Sequence, residues 1–282
     1  MTINDIVSNL ESAGIPSALN EACILASHFT GRSRALLLCD RNVPVSDDAE
    51  ALDALKTAVE RRGLREPLQY IIGKWDFMGL TFEVTPDCLI PRADTELLCE
   101  LAIEKTPVGG RFLDLCTGSG CIALSVAHER PDLNVSALEK YPAAMAVAKR
   151  NCQRLLGDGR VRFIEADVTS HLAAFGYFGG EKFDFIAVNP PYVTEAEMEE
   201  LEPELSREPR HALTDGGDGL SIIREMIHIY PMFLADGGIF AVEHGSAQGE
   251  AVRKLFFEAG HVSTTLRDLC GNERVTYMQA GE

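Results

Sequence analysis

The residues with the clearest capacity for chemistry are Asn189-Pro190-Pro191-Tyr192, directly after the apolar run Phe183-Asp184-Phe185-Ile186-Ala187-Val188. Two consecutive prolines remove two N–H donors and fix φ, so the chain makes a stiff corner whose carbonyls are not used in regular structure. The Asn189 side-chain oxygen and the Pro190 carbonyl can then accept both hydrogens of one planar NH2 group. Such a grip orients the nitrogen toward an electrophilic carbon and stabilises the positive charge that grows on it. Tyr192 offers a flat face against which a planar amide or ring can pack.

A second constellation is Leu113-Asp114-Leu115-Cys116-Thr117-Gly118-Ser119-Gly120-Cys121-Ile122-Ala123, which follows an apolar strand and opens a helix. Glycines at 118 and 120 allow a tight turn and close approach of a ligand, and the N–H groups at the helix terminus can meet a negative group. Glu139 lies nineteen residues beyond Gly120, at the end of the next strand, where a carboxylate can accept hydrogen bonds from two ribose hydroxyls. That pattern alone serves a nicotinamide dinucleotide or S-adenosylmethionine. Two acids tilt the choice. Asp114 can organise the loop and lie near a cationic amino group, at a place where a pyrophosphate would be repelled. Asp167 ends the run Phe163-Ile164-Glu165-Ala166-Asp167, within reach of an adenine amino group. Together they favour S-adenosylmethionine.

The elements that must position these residues follow from periodicity. Ile3, Ile6, Val7 and Leu10 predict a helix that Gly14-Ile15-Pro16 stops; Ser17 caps a second, and a third starts at Ser46 and ends at Arg61-Arg62-Gly63. This region reads as a small helical bundle. Short β-like runs at 74–78 and 81–84, joined by Gly79-Leu80, predict a hairpin. From residue 94 onward helices and strands alternate, with strands expected at 111–115, 134–138, 161–165, 183–188 and 238–243. Alternation implies parallel strands with right-handed crossovers. The final runs, 262–266 and 275–279, have no room between them for a helix and predict an antiparallel hairpin.

Composition narrows the classes. The 282 residues are 46% apolar and 24% charged, which suits a globular chain with a sizeable core. A net charge of −17 argues against broad attachment to nucleic acid, which needs a positive field. No apolar stretch approaches the roughly 20 residues of a membrane span, and the amphipathic start Met1–Leu10 is unlike a signal peptide. Eight scattered cysteines without a Cys-x-x-Cys predict reduced thiols in a cytoplasmic protein, and the histidines lack metal-ligand spacing, so no metal is expected.

Further segments carry a resemblance: Glu66-Pro67-Leu68-Gln69-Tyr70-Ile71-Ile72-Gly73, Trp75-Asp76-Phe77-Met78-Gly79-Leu80, Leu89-Ile90-Pro91-Arg92-Ala93-Asp94-Thr95-Glu96, Glu208-Pro209-Arg210, Asp218-Gly219-Leu220 and Arg267-Asp268-Leu269 with Gly271 and Arg274. With the glycine turn and the proline corner, they make the chain from about residue 60 onward resemble the PrmC/HemK family of class I S-adenosylmethionine-dependent methyltransferases. That family methylates the glutamine of the Gly-Gly-Gln motif in peptide chain release factors. The resemblance implies a Rossmann-like, seven-stranded α/β sheet with an antiparallel C-terminal hairpin, preceded by a small helical bundle. It divides the chain into a helical substrate-recognition domain (1–72), a β-hairpin linker (73–92) and a methyltransferase domain (93–282). It implies S-adenosylmethionine as cofactor, S-adenosylhomocysteine as product and release factors as partners, with no stable nucleic-acid or membrane binding.

Family roles carried onto this sequence make Cys116, Thr117, Gly118, Ser119, Gly120, Glu139, Asp167 and Val168 cofactor contacts, with Asp114 and Asn189 beside them. Asn189, Pro190, Pro191 and Tyr192 become the substrate grip, and Asn189, Pro190 and Tyr192 the catalytic set. Relatives often have Gly at the position of Cys116 and Asp at that of Glu139, and an aromatic can stand near adenine where this chain has Val168. Arg92 is expected in the pocket lid, facing a carboxylate or backbone carbonyls, or held in an ion pair. His244 ends a strand on the cofactor side, yet an amide held by two acceptors needs no strong base, so no catalytic role is assigned to it. Three other functions remain open at this level: a glutamine methyltransferase for a large-subunit ribosomal protein, a DNA amino-methyltransferase, and a cofactor-sensing adaptor that binds a release factor without reacting.

Overall fold

The apolar period of the first residues becomes the buried face Ile3, Ile6 and Leu10 of α1 (Ile3–Ser12). A capping box starts it: Thr2 Oγ1 accepts from the Asp5 N–H, and the Thr2 N–H donates to the Asp5 carboxylate. The structure, a computed structural model, describes residues 1–281, with 171–173 followed through their backbone alone. It divides into two compact units, Met1–Lys74 with Glu202–Arg207, and Trp75–Leu201 with Glu208–Glu282.

The first unit continues with α2 (Ala18–Thr30), α3 (Arg34–Cys39), α4 (Ala49–Gly63) and α5 (Leu68–Ile72). Two expected helix starts differ. Ser17 makes no capping hydrogen bond. Asp48, not Ser46, caps α4 by accepting from Glu50 N–H, while the Ser46 hydroxyl orders the turn before it by accepting from Asp48 N–H. Inside the bundle, Arg62 is buried and pairs with Glu21 at 2.5 Å and with Glu204, from the returning segment, at 2.8 Å. A guanidinium removed from water requires such partners.

The second unit takes up the chain at Trp75, within β1 (Lys74–Phe77), which with β2 (Leu80–Glu83) forms the expected hairpin, with Met78-Gly79 rather than Gly79-Leu80 at its tip. Both tip residues have positive φ (49° and 72°), the pair that a two-residue turn matched to strand twist requires. Phe77 and Phe82 are buried in this unit's core, so the residues read as a linker pack, from Trp75 on, with the sheet domain.

The alternating region yields α6 (Glu96–Lys105), β3 (Arg111–Leu115), α7 (Cys121–Glu129), β4 (Asn134–Glu139), α8 (Pro142–Leu155), β5 (Val161–Glu165), α9 (His171–Phe178) and β6 (Phe183–Val188). Next come the short α10 (Arg210–Leu213), α11 (Ser221–Ile229), β7 (Leu234–Glu243), α12 (Gly249–Glu258), β8 (Thr264–Arg267) and β9 (Glu273–Gln279). The strands form a seven-stranded sheet in the order β5-β4-β3-β6-β7-β9-β8, parallel except for β9, which is antiparallel to both β7 and β8. The helix α9 is absent from the sequence reading, where glycines at 176, 179 and 180 mask its period. Strand β7 begins four residues earlier than expected, because a bulge between Phe183 and Phe185 carries the ladder past Gly237-Gly238.

Residues alternate between two cores, one on each face of the sheet. Phe112, Ala137, Phe185 and Ala241 face α6 and α7, while Leu113, Leu138, Ile186 and Val242 face α11 and α12. Each fully buried Phe or Leu contributes roughly 2–3 kcal/mol. The chain runs outward from β3 to β5 and returns to β6 on the other side of β3, so the strand order switches between them. Ligands of open α/β sheets bind beyond the strand ends at such a switch. The register Leu115↔Val188 therefore sets Cys116 and Asn189, the next residues of each strand, side by side there. Among the described residues no helix is long and apolar enough to cross a membrane.

Candidate active site

A cavity of about 270 Å³ opens in the second unit at that switch. Of the residues selected from the sequence, Cys116, Thr117, Gly118, Ser119, Glu139, Asp167, Val168, Asn189 and Pro191 line it. Asp114, Gly120, Pro190 and Tyr192 do not line it.

Asp114 lies beneath the glycine turn, where one carboxylate oxygen accepts from the Thr117 hydroxyl and from Ala123 N–H at 3.2 Å. It thus ties the turn to the first residues of α7. Cys116 has φ +60°, a left-handed conformation that favours glycine. This is the position where the resemblance leads one to expect glycine. Gly120 (φ +85°) sits against α8, and a Cβ there would meet Leu124 Cδ1 at 3.1 Å and Ala148 Cβ at 3.3 Å. Asn151 of α8 completes the clamp: its amide donates to Ser119 O at 2.9 Å and to Glu83 O at 3.0 Å.

Glu139 is buried with both oxygens turned to backbone donors, Oε2 to Gly118 N–H and Oε1 to Lys140 and Tyr141 N–H, all at 2.9 Å. These bonds hold its carboxylate at the rim of the cavity. Asp167 accepts from the Thr169 N–H and hydroxyl and pairs with Lys140 at 2.8 Å, which hold its carboxyl below the usual range against the effect of burial. Val168 is fixed by its carbonyl, which accepts from Tyr230 Oη at 3.0 Å.

At the end of β6, Asn189 Nδ2 donates to Thr95 Oγ1 at 3.1 Å. The Tyr192 hydroxyl turns away to Glu243 Oε1 at 3.4 Å, and its carbonyl accepts from Gln248 Nε2 at 2.9 Å. His244 is fully buried outside the cavity. Its Nδ1 faces the Gly245 carbonyl and must donate to it, so Nε2 accepts from the Thr276 hydroxyl, both at 2.9 Å. Burial pushes its pKa down, and both ring nitrogens are occupied.

Arg92 stands at the site as expected, and Glu208, Tyr141 and His211 join it there although the sequence does not mark them as site residues. Arg92 lines the cavity and forms an ion pair with the buried Glu208, which also accepts from Ile90 N–H at 3.0 Å. The ion-pair alternative for Arg92 is the one realised. Tyr141 and His211 stack at the cavity wall with ring centroids 3.6 Å apart. Thr95, Asn151 and Glu243 left no local signal, because each meets its partner across the fold rather than along the chain.

Two buried carboxyls make stability depend on pH. Burial raises Asp114 to about 7 despite the hydrogen bonds from Thr117 and Ala123, and raises Glu243 to about 7 as well. A folded pKa above the unfolded value favours the folded state at low pH, and that contribution is lost as pH rises through 7. The loss builds between about pH 4, where the unfolded carboxyl ionises, and pH 7, where the folded one follows, and each group should cost about 4 kcal/mol of stability across that window. The histidines pushed down by burial, including His211 and His244, act in the opposite sense below pH 6.5, so the carboxyl contribution is read as the difference between the parent and a carboxyl variant. These two groups should therefore lower the melting temperature from pH 5 to 7 and level off above 8, and Asp114→Asn should remove part of that slope relative to the parent; an unchanged slope would remove Asp114 from this account.

The geometry can be set beside known proteins. Residues 2–73 match the PrmC N-terminal domain and residues 93–239 the methyltransferase small domain. The release factor glutamine methyltransferase of Geobacter sulfurreducens is 39% identical over 268 residues, covering 94% of this chain and 91% of its own length. That of Bordetella pertussis is 41% identical over 270 residues, covering 95% and 96%. A solved methyltransferase from Pyrococcus furiosus shares the fold, with a TM-score of 0.51 at 18% identity over 72% of this chain and 90% of that one. Similarity that runs through the helical unit as well as the sheet sets this chain apart from methyltransferases at large, and it belongs to the family of release factor glutamine methyltransferases.

Proposed function

We propose that the chain methylates the side-chain amide nitrogen of the glutamine in the Gly-Gly-Gln motif of peptide chain release factors, using S-adenosylmethionine, in the cytoplasm where release factors act. The observation that carries the reading is a shared cavity: Asn189 and Pro191 of the corner line the same space as Glu139, Asp167 and the Gly118 turn.

The residues present fit the cofactor. Gly118 has φ +55°, and a Cβ added there would meet nothing nearer than Cys116 O at 4.0 Å, so the turn leaves its face of the cavity open. Carboxylates suited to ribose hydroxyls and to an amino group stand at the ends of β4 and β5, with the apolar Val168 and Ile222 on the wall. We assign Glu139 and Asp167, with the 116–119 turn and Val168, to holding it. The bound cofactor supplies a methyl group made electrophilic by a sulfonium.

The chain's own residues do the rest. A primary amide nitrogen is a poor nucleophile because its lone pair is delocalised, so position and charge stabilisation supply the acceleration. We assign the Asn189 side-chain oxygen, on the cavity wall, and the carbonyl of Pro190, set between the lining residues Asn189 and Pro191, to the two amide hydrogens; they would aim the nitrogen and stabilise its growing charge. The amide proton becomes acidic only as the new bond forms, and no buried base such as His244 is required. The helical unit, residues 1–72 in this reading, recognises the release factor.

Glu139→Gln should raise the dissociation constant for S-adenosylmethionine on the order of tenfold, the value of one weakened charged hydrogen bond. Titration calorimetry reads it, and an unchanged constant would remove Glu139 from the cofactor site. The function itself is tested by incubating the protein with methyl-labelled cofactor and, separately, an unmethylated release factor, a large-subunit ribosomal protein and DNA. Label mapped to the glutamine of the release factor is expected. Label only on another substrate, or a complex without product, overturns the proposal.

A further inference from the structure

The Asn189 amide is nearly symmetric in shape, yet its two ends are chemically opposite. With the oxygen in the cavity it accepts from a substrate NH2; rotated by half a turn it would oppose N–H to N–H. Nothing in Asn-Pro-Pro-Tyr decides between these rotamers. The decision lies behind the corner, in contacts from two distant parts of the chain.

We infer that Thr95 and Glu243 are a positioning pair that holds the Asn189 amide with its oxygen, rather than its NH2, presented to the cavity. The inference rests on the reading of Asn189 as the grip on the substrate amide. Thr95 stands before α6 and Glu243 ends β7, and both are sealed from solvent, at 2% and 1% exposure, so water cannot replace either partner. Asn189 Nδ2 donates to Thr95 Oγ1 at 3.1 Å. A hydroxyl can donate or accept, so this contact alone does not choose the rotamer. The Glu243 carboxylate makes the choice. Its Oε2 is buried with no hydrogen-bond partner among the described residues, the Thr95 hydroxyl works against burial to hold the carboxyl down, and once ionised, above about pH 7, the carboxylate only accepts. The Thr95 proton is thereby directed to Glu243, and the lone pairs left on Oγ1 require an N–H from Asn189.

Glu243 is itself fixed from the other side. Tyr192 Oη donates to its Oε1 at 3.4 Å. Arg274, paired with Asp94 at 3.0 Å and Asp268 at 3.3 Å, supplies a stabilising positive charge. The same carboxylate thus meets both ends of the corner, Asn189 through Thr95 and Tyr192 directly. Packing alone would be served as well by apolar residues of the same shape.

The test compares Thr95→Val, Thr95→Ser, Glu243→Gln and Asn189→Ala, each measured for turnover, KM for the release factor, cofactor affinity, melting temperature and exchange of the Asn189 side-chain NH2 protons by NMR. Thr95→Val should lower kcat by about 10- to 100-fold, the penalty of an unmatched buried hydrogen bond. Cofactor affinity should stay near parental, and the Asn189 NH2 protons should exchange faster. Thr95→Ser, which keeps the hydroxyl, should restore most of the lost turnover. Glu243→Gln should lower kcat by at least about tenfold, because a glutamine NH2 can donate to Thr95 and free its proton to turn toward Asn189. Its melting temperature at pH 8 should hold or rise, since a buried charge is removed. A merely structural role predicts the reverse coupling, with kcat falling only as far as stability falls. Parental kcat in both Thr95→Val and Glu243→Gln, with turnover lost in Asn189→Ala, would overturn the positioning pair alone. Parental kcat in Asn189→Ala would instead overturn the underlying reading of the grip. If Thr95→Val does not fold, the serine and glutamine variants still decide.

Discussion

Asn189→Ala should bind S-adenosylmethionine with nearly parental affinity and lose turnover by about 10²–10³-fold, the range for removing one preorganised polar group that meets charge in a transition state. The separation of the two effects follows from the geometry. The polar groups assigned to the cofactor are Glu139 and Asp167, at the ends of β4 and β5, and their bonds are made to the backbone of the Gly118 turn and of their own loops, and to the side chains of Lys140 and Thr169. None passes through Asn189, whose side chain bonds to Thr95. Truncation leaves the Pro190 carbonyl as a single acceptor, so the substrate amide retains one hydrogen bond and loses its aim. Calorimetry for the cofactor and a labelled-methyl assay for turnover read the two effects. Equal loss of binding and turnover would place Asn189 in the cofactor site rather than at the substrate.

Gly219→Ala has the second largest expected effect, although Gly219 does not line the cavity. Its φ is +71°, and an added Cβ would stand 2.1 Å from the Tyr192 carbonyl oxygen and 2.8 Å from Gln248 Nε2. Those atoms are themselves hydrogen-bonded, and Gln248 Oε1 accepts from Gly245 N–H at 2.8 Å, so the methyl would wedge between the corner and the end of β7. The glycine cannot easily retreat. Asp215 accepts from the N–H groups of Gly217, Gly219 and Ser221 and fixes the loop at the start of α11. The displacement therefore falls on Tyr192. A shift near 1 Å in a positioning element costs about 10²-fold in rate. The left-handed backbone adds about 1–3 kcal/mol of destabilisation. Steady-state kinetics with thermal melts check both, and a variant with parental kcat and melting temperature would show that the corner is not seated on this glycine.

What could be read along the chain was whatever is written locally. The proline corner, the glycine turn, the acids at strand ends and the α/β alternation depend on neighbouring residues, through fixed φ, missing N–H donors and a period of two or 3.6. Cys116 shows the limit of such reading. Its identity and the expected glycine were visible, but the φ of +60° that explains the preference belongs to the folded turn. The hairpin tip and the cap of α4 slipped by one or two residues for the same reason, since several adjacent residues satisfy a local rule and packing selects among them.

By itself, then, the sequence determined the alternation of the principal helices and strands, and it proposed the residues that could meet a nucleoside cofactor and the two groups that could accept from a flat NH2. Only the tertiary structure decided which of these face one cavity, leaving Asp114, Gly120, Pro190 and Tyr192 off its wall, and which distant partners hold the rest. Thr95 reaches Asn189 across 94 residues and Glu208 reaches Arg92 across 116. The physical reason is that periodicity reports which side of an element is buried and not what that side meets. A hydrogen bond between remote side chains is fixed only when strand order and register bring their backbones together.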